Sequence, residues 1–251
     1  MVLCVVTMMF VREDSIKIST VHEGSGGDVT LNDALRPHLS SELSLKLAEH
    51  SRKGTVMLTL GAGRPVVMIV AGVHGNEIPP QVAAVRISEQ LLSMDIRGTV
   101  HVIPFAAPWA TMKNSRWFMG HDLNRSASIR GSVTNSIFRR ACEMGVDALA
   151  DFHSTAPGSK PGVEGVFCSE EPEHESMEIA RYITSRTSSK LLCYEKASSH
   201  YRGALEDECN LAGIPSVTCE VLSENGVVRE GSDGRSLLQM RLFLKYMGIL
   251  S

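Results

Sequence analysis

No apolar run in this chain reaches the roughly 18 residues that a membrane-spanning helix needs. A helical span is therefore excluded, and no membrane partner is expected. Excess positive charge is missing too: the formal net charge is −3 and the pI is near 6.3. That leaves no basic footprint for nucleic acid. The six cysteines (Cys4, Cys142, Cys168, Cys193, Cys209, Cys219) contain no C-x-x-C pair. Without an export signal, they are expected to be buried thiols rather than a disulfide framework. The opening MVLCVVTMMFVRED lacks a basic n-region and a small-residue cleavage site, and its β-branched content reads as a buried strand. The expected compartment is the cytoplasm. There is no G-x-S-x-G nucleophile elbow and no G-x-x-x-x-G-K-[ST] phosphate loop. GAGRPV lacks the third glycine of a dinucleotide fingerprint and joins two strands. No repeat, low-complexity tract or linker interrupts the chain.

What is present suits one sizeable core. The chain has 251 residues, 43% hydrophobic and 21% charged, within the range of ordinary globular proteins. Strand-like runs alternate with helical ones. TVMLTL (55–60) and VVMIVA (66–71) read as strands. Pro79 and Pro80 suit the first turn of a helix through QVAAVRISEQLLSM, with Val82, Val85 and Leu92 at helical spacing. TVHVIPF (99–105) is a strand. A long polar segment, 106–130, follows and carries Trp109, Trp117 and GHDLNRS; such a length inside a compact domain points to function. Then come a helix (135–144), a strand (146–152), a Gly-, Pro- and Ser-rich loop (154–165), strand GVFCS, a helix (173–189) and strand KLLCY. The helix GALEDECNLAG, closed by Gly213, precedes strand PSVTCEV. The amphipathic helix GRSLLQMRLFLKYMG ends the chain. Residues 1–50 read as an N-terminal extension of two strands, a Gly-rich turn and a helix near 41–50, packed on a single domain spanning 1–251. This order predicts an α/β fold: a three-layer sandwich with a mostly parallel central sheet flanked by helices.

Ligands in open α/β sheets bind beyond the carboxyl ends of strands. His74 and Glu77 follow VVMIVA in AGVHGNEIPP, His153 follows VDALADF, and Glu220 ends PSVT. Two histidines and a carboxylate are a ligand set for catalytic zinc. The remaining carboxylate would serve as general base. Gly72 and Gly75 would let the turn aim His74 and Glu77 at one ion. One H-x-x-E among nine histidines equally describes an ordinary turn; the coincidence of three strand ends raises the metal reading. His22, His38, His50, His101, His174 and His200 read as surface or packing residues, and His121 has no matched partner.

At HGNE, DLNR (122–125), DFHS (151–154) and GIPSVTCEV (213–221) the sequence resembles the succinylglutamate desuccinylase/aspartoacylase branch of the zinc carboxypeptidase superfamily. The four motifs occur in the family's order. The resemblance implies a zinc carboxypeptidase-like fold with a mixed sheet, and one zinc per chain on His74, Glu77 and His153. It implies that Asn124 and Arg125 bind the substrate's carboxylate or polarised carbonyl, and that Glu220 activates water. Arg116 lies near where the family often has another arginine; its alternative is a solvated loop residue. Tyr201 in SSHYRG would reach the site from the other side. Asp122 would orient the loop, and Asp151, on the same strand face as His153, would hold its other nitrogen. The branch commonly has a glycine soon after that glutamate, whereas here EVLSENG delays it to Gly226. Residues after Glu220 number 31 (251 − 220), too few for the C-terminal β domain of the aspartoacylase type. A more open site is expected.

The expected function is zinc-dependent hydrolysis of an amide bond in a small N-acyl amino acid or related acylated substrate. A metallocarboxypeptidase acting on short peptides is the first alternative, and a non-catalytic metal- or carboxylate-binding protein the second. Glu220 speaks against the second, because a binding module has no need of a base. The expected partner is a small-molecule or short-peptide substrate with a carboxylate, with no nucleic acid. A homo-oligomer is compatible with the sequence, which names neither acyl group nor amino acid.

Overall fold

The computed structural model describes residues 16–251. The expected N-terminal strand in MVLCVVTMMFVRED, and Cys4 with it, lies outside those residues. Chain order is β1 (Ile16–Glu23), α1 (Glu42–Ser51), β2 (Gly54–Ala62), β3 (Val66–Ala71), α2 (Ile78–Ser93), β4 (Gly98–Ile103), α3 (Pro108–Met112), α4 (Val133–Glu143), β5 (Ala148–Thr155), β6 (Gly165–Glu171), α5 (Glu175–Thr184), β7 (Lys190–Lys196), α6 (Leu205–Leu211), β8 (Ser216–Leu222) and α7 (Ser232–Tyr246). The strands form one eight-stranded mixed sheet in the order β1-β2-β4-β3-β5-β8-β6-β7. Neighbours β4-β3-β5-β8 run parallel, as do β6 and β7. The pairs β1–β2, β2–β4 and β6–β8 are antiparallel.

The central strands read as near-continuous apolar runs because helices cover both faces. Alternate residues divide between two cores. Val67, Ile69, Ala71, Ala148, Ala150 and Phe152 pack with α2, α5 and α7 on one face. Met68, Val70 and Leu149 pack with α4, Leu205 and Cys209 on the other. Full burial of one such side chain is worth about 1.5–3 kcal/mol. Two-residue periodicity places Asp151 and His153 on the Leu149 face, at the carboxyl end of β5.

Several boundaries differ from the sequence reading. β5 runs to Thr155, so His153 lies within the strand rather than after it. The helix expected over 173–189 covers Glu175–Thr184. Between 106 and 130 stand α3, a short turn at Leu123–Arg125 and a bridge between Phe118 and His121. Cys168, Cys209 and Cys219 are buried free thiols, but Cys142 and Cys193 are exposed. Cys142 lies in the last turn of α4 and Cys193 on β7, which ends the sheet.

Candidate metal centre and substrate cavity

The turn after β3 is shaped by what packs on it. Gly72 has φ +76°, a left-handed conformation that favours glycine. Gly75 answers a different need: a Cβ there would stand 2.0 Å from the Ala110 carbonyl carbon. Gln81 closes the turn by donating from Nε2 to the carbonyls of Glu77 (2.9 Å) and Gly75 (3.2 Å). Thr111 of α3 donates to Gln81 Oε1 at 2.9 Å. Glu77 occupies the N-cap position of α2, but its carboxylate makes no cap bond there. Pro79 in the first turn leaves one fewer amide to satisfy.

The freed carboxylate lies between two histidines. Glu77 Oε1 is 2.7 Å from His74 Nδ1, and Oε2 is 2.8 Å from His153 Nδ1. The outward nitrogens are held by other carboxylates. His74 Nε2 is 2.9 Å from Asp122 Oδ1, and His153 Nε2 is 2.8 Å from Asp151 Oδ2. The expectation for Asp151 thus meets a direct contact. Asp122 does more than orient its loop: its Oδ1 accepts from the Asn124 amide at 3.0 Å while it holds His74. Burial alone would lower the His153 pKa, but the Asp151 and Glu77 carboxylates outweigh it and hold the ring well above its ordinary value. Burial would raise Glu77, and the two histidines reverse this, holding it well below the usual carboxylate range.

One donor atom from each of His74, Glu77 and His153 lies within 4.8 Å of the others, and all three residues are buried. Around them Asp151 Oδ1, Ser154 Oγ, Asn124 Oδ1 and Glu220 Oε2 are buried without a hydrogen-bond partner among the described residues. Buried carboxylates are costly without a compensating cation. The donor set, the excess of carboxylates and the tethered histidines fit a divalent ion of the zinc type.

The register of β5 and β8 sets His153 directly opposite Glu220. Burial, then the Glu77 charge, raises the Glu220 carboxyl to about 8. Arg116 reaches Glu77 Oε1 at 3.5 Å and Asp122 Oδ2 at 3.1 Å, so it is tied to the centre rather than freely solvated. Arg125 is exposed, with its guanidinium 5.0 Å from the Tyr201 ring centre. A cavity of about 200 Å³ is lined by His74, Glu77, Arg116, Asn124, Arg125, Tyr201 and Glu220. The sequence-derived residues therefore meet in one place, except His153, which stands behind Glu77.

Sequence reasoning missed part of the lining. Ser154, Lys160, Phe167, Glu206 and Thr218 also face the cavity. Lys160 lay in a loop read only as Gly-, Pro- and Ser-rich. Glu206 lay in the helix GALEDECNLAG, from which no site residue was expected. His121 is elsewhere, bordering a second cavity with His22 and Phe118.

The model of the succinylglutamate desuccinylase/aspartoacylase catalytic domain matches residues 64–232. No curated protein matches the sequence. Among solved structures, an ectoine utilization protein from Ruegeria pomeroyi is 20% identical, with a TM-score of 0.64 over 81% of this chain and 64% of that one. An aspartoacylase family protein from Mesorhizobium loti is 16% identical, with a TM-score of 0.64 over 94% and 68%. A metallo-carboxypeptidase from Burkholderia cenocepacia is 15% identical, with a TM-score of 0.62 over 94% and 65%. These similarities place the fold among carboxypeptidase-like structures. The chain spans about 64% of the length of the Ruegeria protein.

Proposed function

The chain belongs to the succinylglutamate desuccinylase/aspartoacylase catalytic-domain family, and on that premise we propose that it is a zinc-dependent hydrolase cleaving the amide bond of a small N-acyl amino acid or related acylated substrate. The observation that carries this reading is the convergence of His74, Glu77 and His153, with His74, Glu77 and Glu220 lining one cavity together with Arg116 and Arg125. Zinc held by those three side chains would act as a Lewis acid and bring the pKa of a bound water to about 7.

The chain's own residues do the rest. Arg125 offers a rigid fork of donors to the substrate carboxylate or to the carbonyl oxygen as charge grows on it. Asn124 adds an amide beside it. Arg116 joins Glu77 and Asp122 in one charged network at the rim. Glu220 lines the cavity and accepts the proton of the attacking water on its carboxylate. It then delivers that proton to the leaving nitrogen. Tyr201 stacks against Arg125 and fixes the fork's orientation.

The test is a panel of N-acyl amino acids beside a panel of short peptides, run on wild type and Glu220→Gln. Wild type should cleave members of the first panel, and the variant should keep its zinc and lose about 10²–10⁴ in kcat. Cleavage of peptides only would move the assignment to a metallocarboxypeptidase. Full activity in the variant would remove Glu220 from the mechanism. Tight binding without turnover on either panel would leave a binding protein.

A further inference from the structure

A second cavity, of about 310 Å³, lies outside the metal centre, against about 200 Å³ for the metal cavity. The proposed reaction makes no use of it, yet its size reaches the range of small-molecule sites, about 300–1,000 Å³. Its walls come from β1, the 118–126 segment and the turn before α4. Phe118, Leu123 and Val133 are buried and make it apolar. Met119 and Ile129 also line it and are 68% and 54% exposed. Exposed apolar side chains gathered around an apolar cavity mark a binding surface, whereas single ones do not. The charged groups are of one sign: Arg130, His22 and His121 line the cavity, and no carboxylate does. Burial holds His22 below its ordinary pKa, so Arg130 is the standing cation. Arg139 and Arg140 of α4 pair with Glu143, whereas Arg130 has no acidic partner among the described residues. A neutral apolar ligand would leave Arg130 unmatched. A small inorganic anion would leave Phe118, Leu123 and Val133 uncovered. An aliphatic body with one anionic end satisfies both.

This cavity stands behind the turn that serves the metal centre. Asp122 holds His74 and Asn124 lines the metal cavity, while Leu123, between them in the chain, lines the second cavity with Ser126. The same turn hangs on α4: Thr134 Oγ1 donates to the Leu123 carbonyl at 2.9 Å, and Ser132 Oγ to the Ser126 carbonyl at 2.6 Å. We propose that the second cavity is a ligand site separate from the metal centre, and that it takes a small carboxylate with an unbranched aliphatic tail. The carboxylate pairs with Arg130, whose planar fork suits it, and the tail lies on Phe118, Leu123 and Ile129. The site goes beyond the hydrolase reading and does not depend on it.

The probe is octanoate, titrated into the full chain and followed by calorimetry and tryptophan emission. Both tryptophans report on the cavity: the Trp109 ring meets Phe118 edge-on at 5.9 Å, and Trp117 precedes Phe118 in the chain. Wild type should bind octanoate with a dissociation constant of about 1 mM or below and shift its emission. 1-Octanol, which lacks the charge that Arg130 meets, should bind about tenfold more weakly. Arg130→Gln should bring octanoate down to the octanol level. Ile129→Glu sets an acid at an exposed position of the lining, where the fold tolerates it, and should abolish octanoate binding. Metal-stripped wild type and Arg125→Gln should bind octanoate as wild type does, which separates this site from the metal cavity. Binding lost in Arg125→Gln but kept in Arg130→Gln would seat the ligand at the metal centre and overturn the proposal. Equal affinity for octanoate and octanol, undiminished binding in Ile129→Glu, or no octanoate binding at all would overturn it too.

Discussion

His74, Glu77 and His153 stand at the carboxyl ends of two central strands, whereas Arg116, Arg125 and Tyr201 hang from connecting segments. The side chains of the first group are 2%, 5% and 1% exposed, while that of Arg116 is 41% exposed and Arg125 lies open. Each histidine of the first group is held at both nitrogens, and Glu77 also accepts from the Ser154 amide at 3.1 Å. Arg125 has the Tyr201 face and the Asn124 carbonyl. The metal half is thus set before any ligand arrives. The substrate half rests on fewer fixed contacts, and it is where relatives with one fold can differ in what they accept.

That contrast can be broken from either side. On the substrate half, Arg125→Gln should lower kcat/KM by about 10²–10³-fold and leave zinc content unchanged. An unaltered kcat/KM would take Arg125 out of substrate binding, and lost zinc would show that the halves are not separate. On the metal half, Asp151→Asn should weaken zinc binding by about 10–100-fold, read by competition with a chelator. Equal affinity would mean that strand geometry alone orients His153. The smallest effect concerns the boundary between the halves. The Glu206 carboxyl ordinarily titrates at 4.5 and is raised to about 8 by burial and Asp207. Its protonated form favours the folded state, so this stabilisation is full below 4.5 and is lost as pH rises through 8. Glu206→Gln should therefore melt close to wild type at pH 5 and a few degrees above it at pH 8.5. The same difference at both pH values would contradict the placement of Glu206 in a dry wall.

The metal half was the legible one. His74 and Glu77 are three residues apart in a glycine turn after an apolar strand, and His153 and Glu220 each close another such run. Strand periodicity suffices to aim those side chains, because a buried parallel sheet leaves its carboxyl ends as the open edge. Asp151 was legible for the same reason, two residues before His153 on one strand face. The α6 wall was not. Glu206 comes near Thr218 because α6 packs on β8, the strand that follows it, a tertiary contact that helical spacing alone does not record. Nor does the composition of AAPWATMKNSRWFMG reveal that α3 forms there and closes over Gly75. Gly75 looked like a residue needed for bending, yet its role is to admit the Ala110 backbone.

Elemental mass spectrometry of the purified protein, wild type beside His74→Ala, tests the centre on which the rest depends. About one zinc per chain in wild type, lost in the variant, is the result expected of a His74–Glu77–His153 site. No bound metal in wild type even after zinc is supplied, or undiminished zinc in His74→Ala, would contradict it.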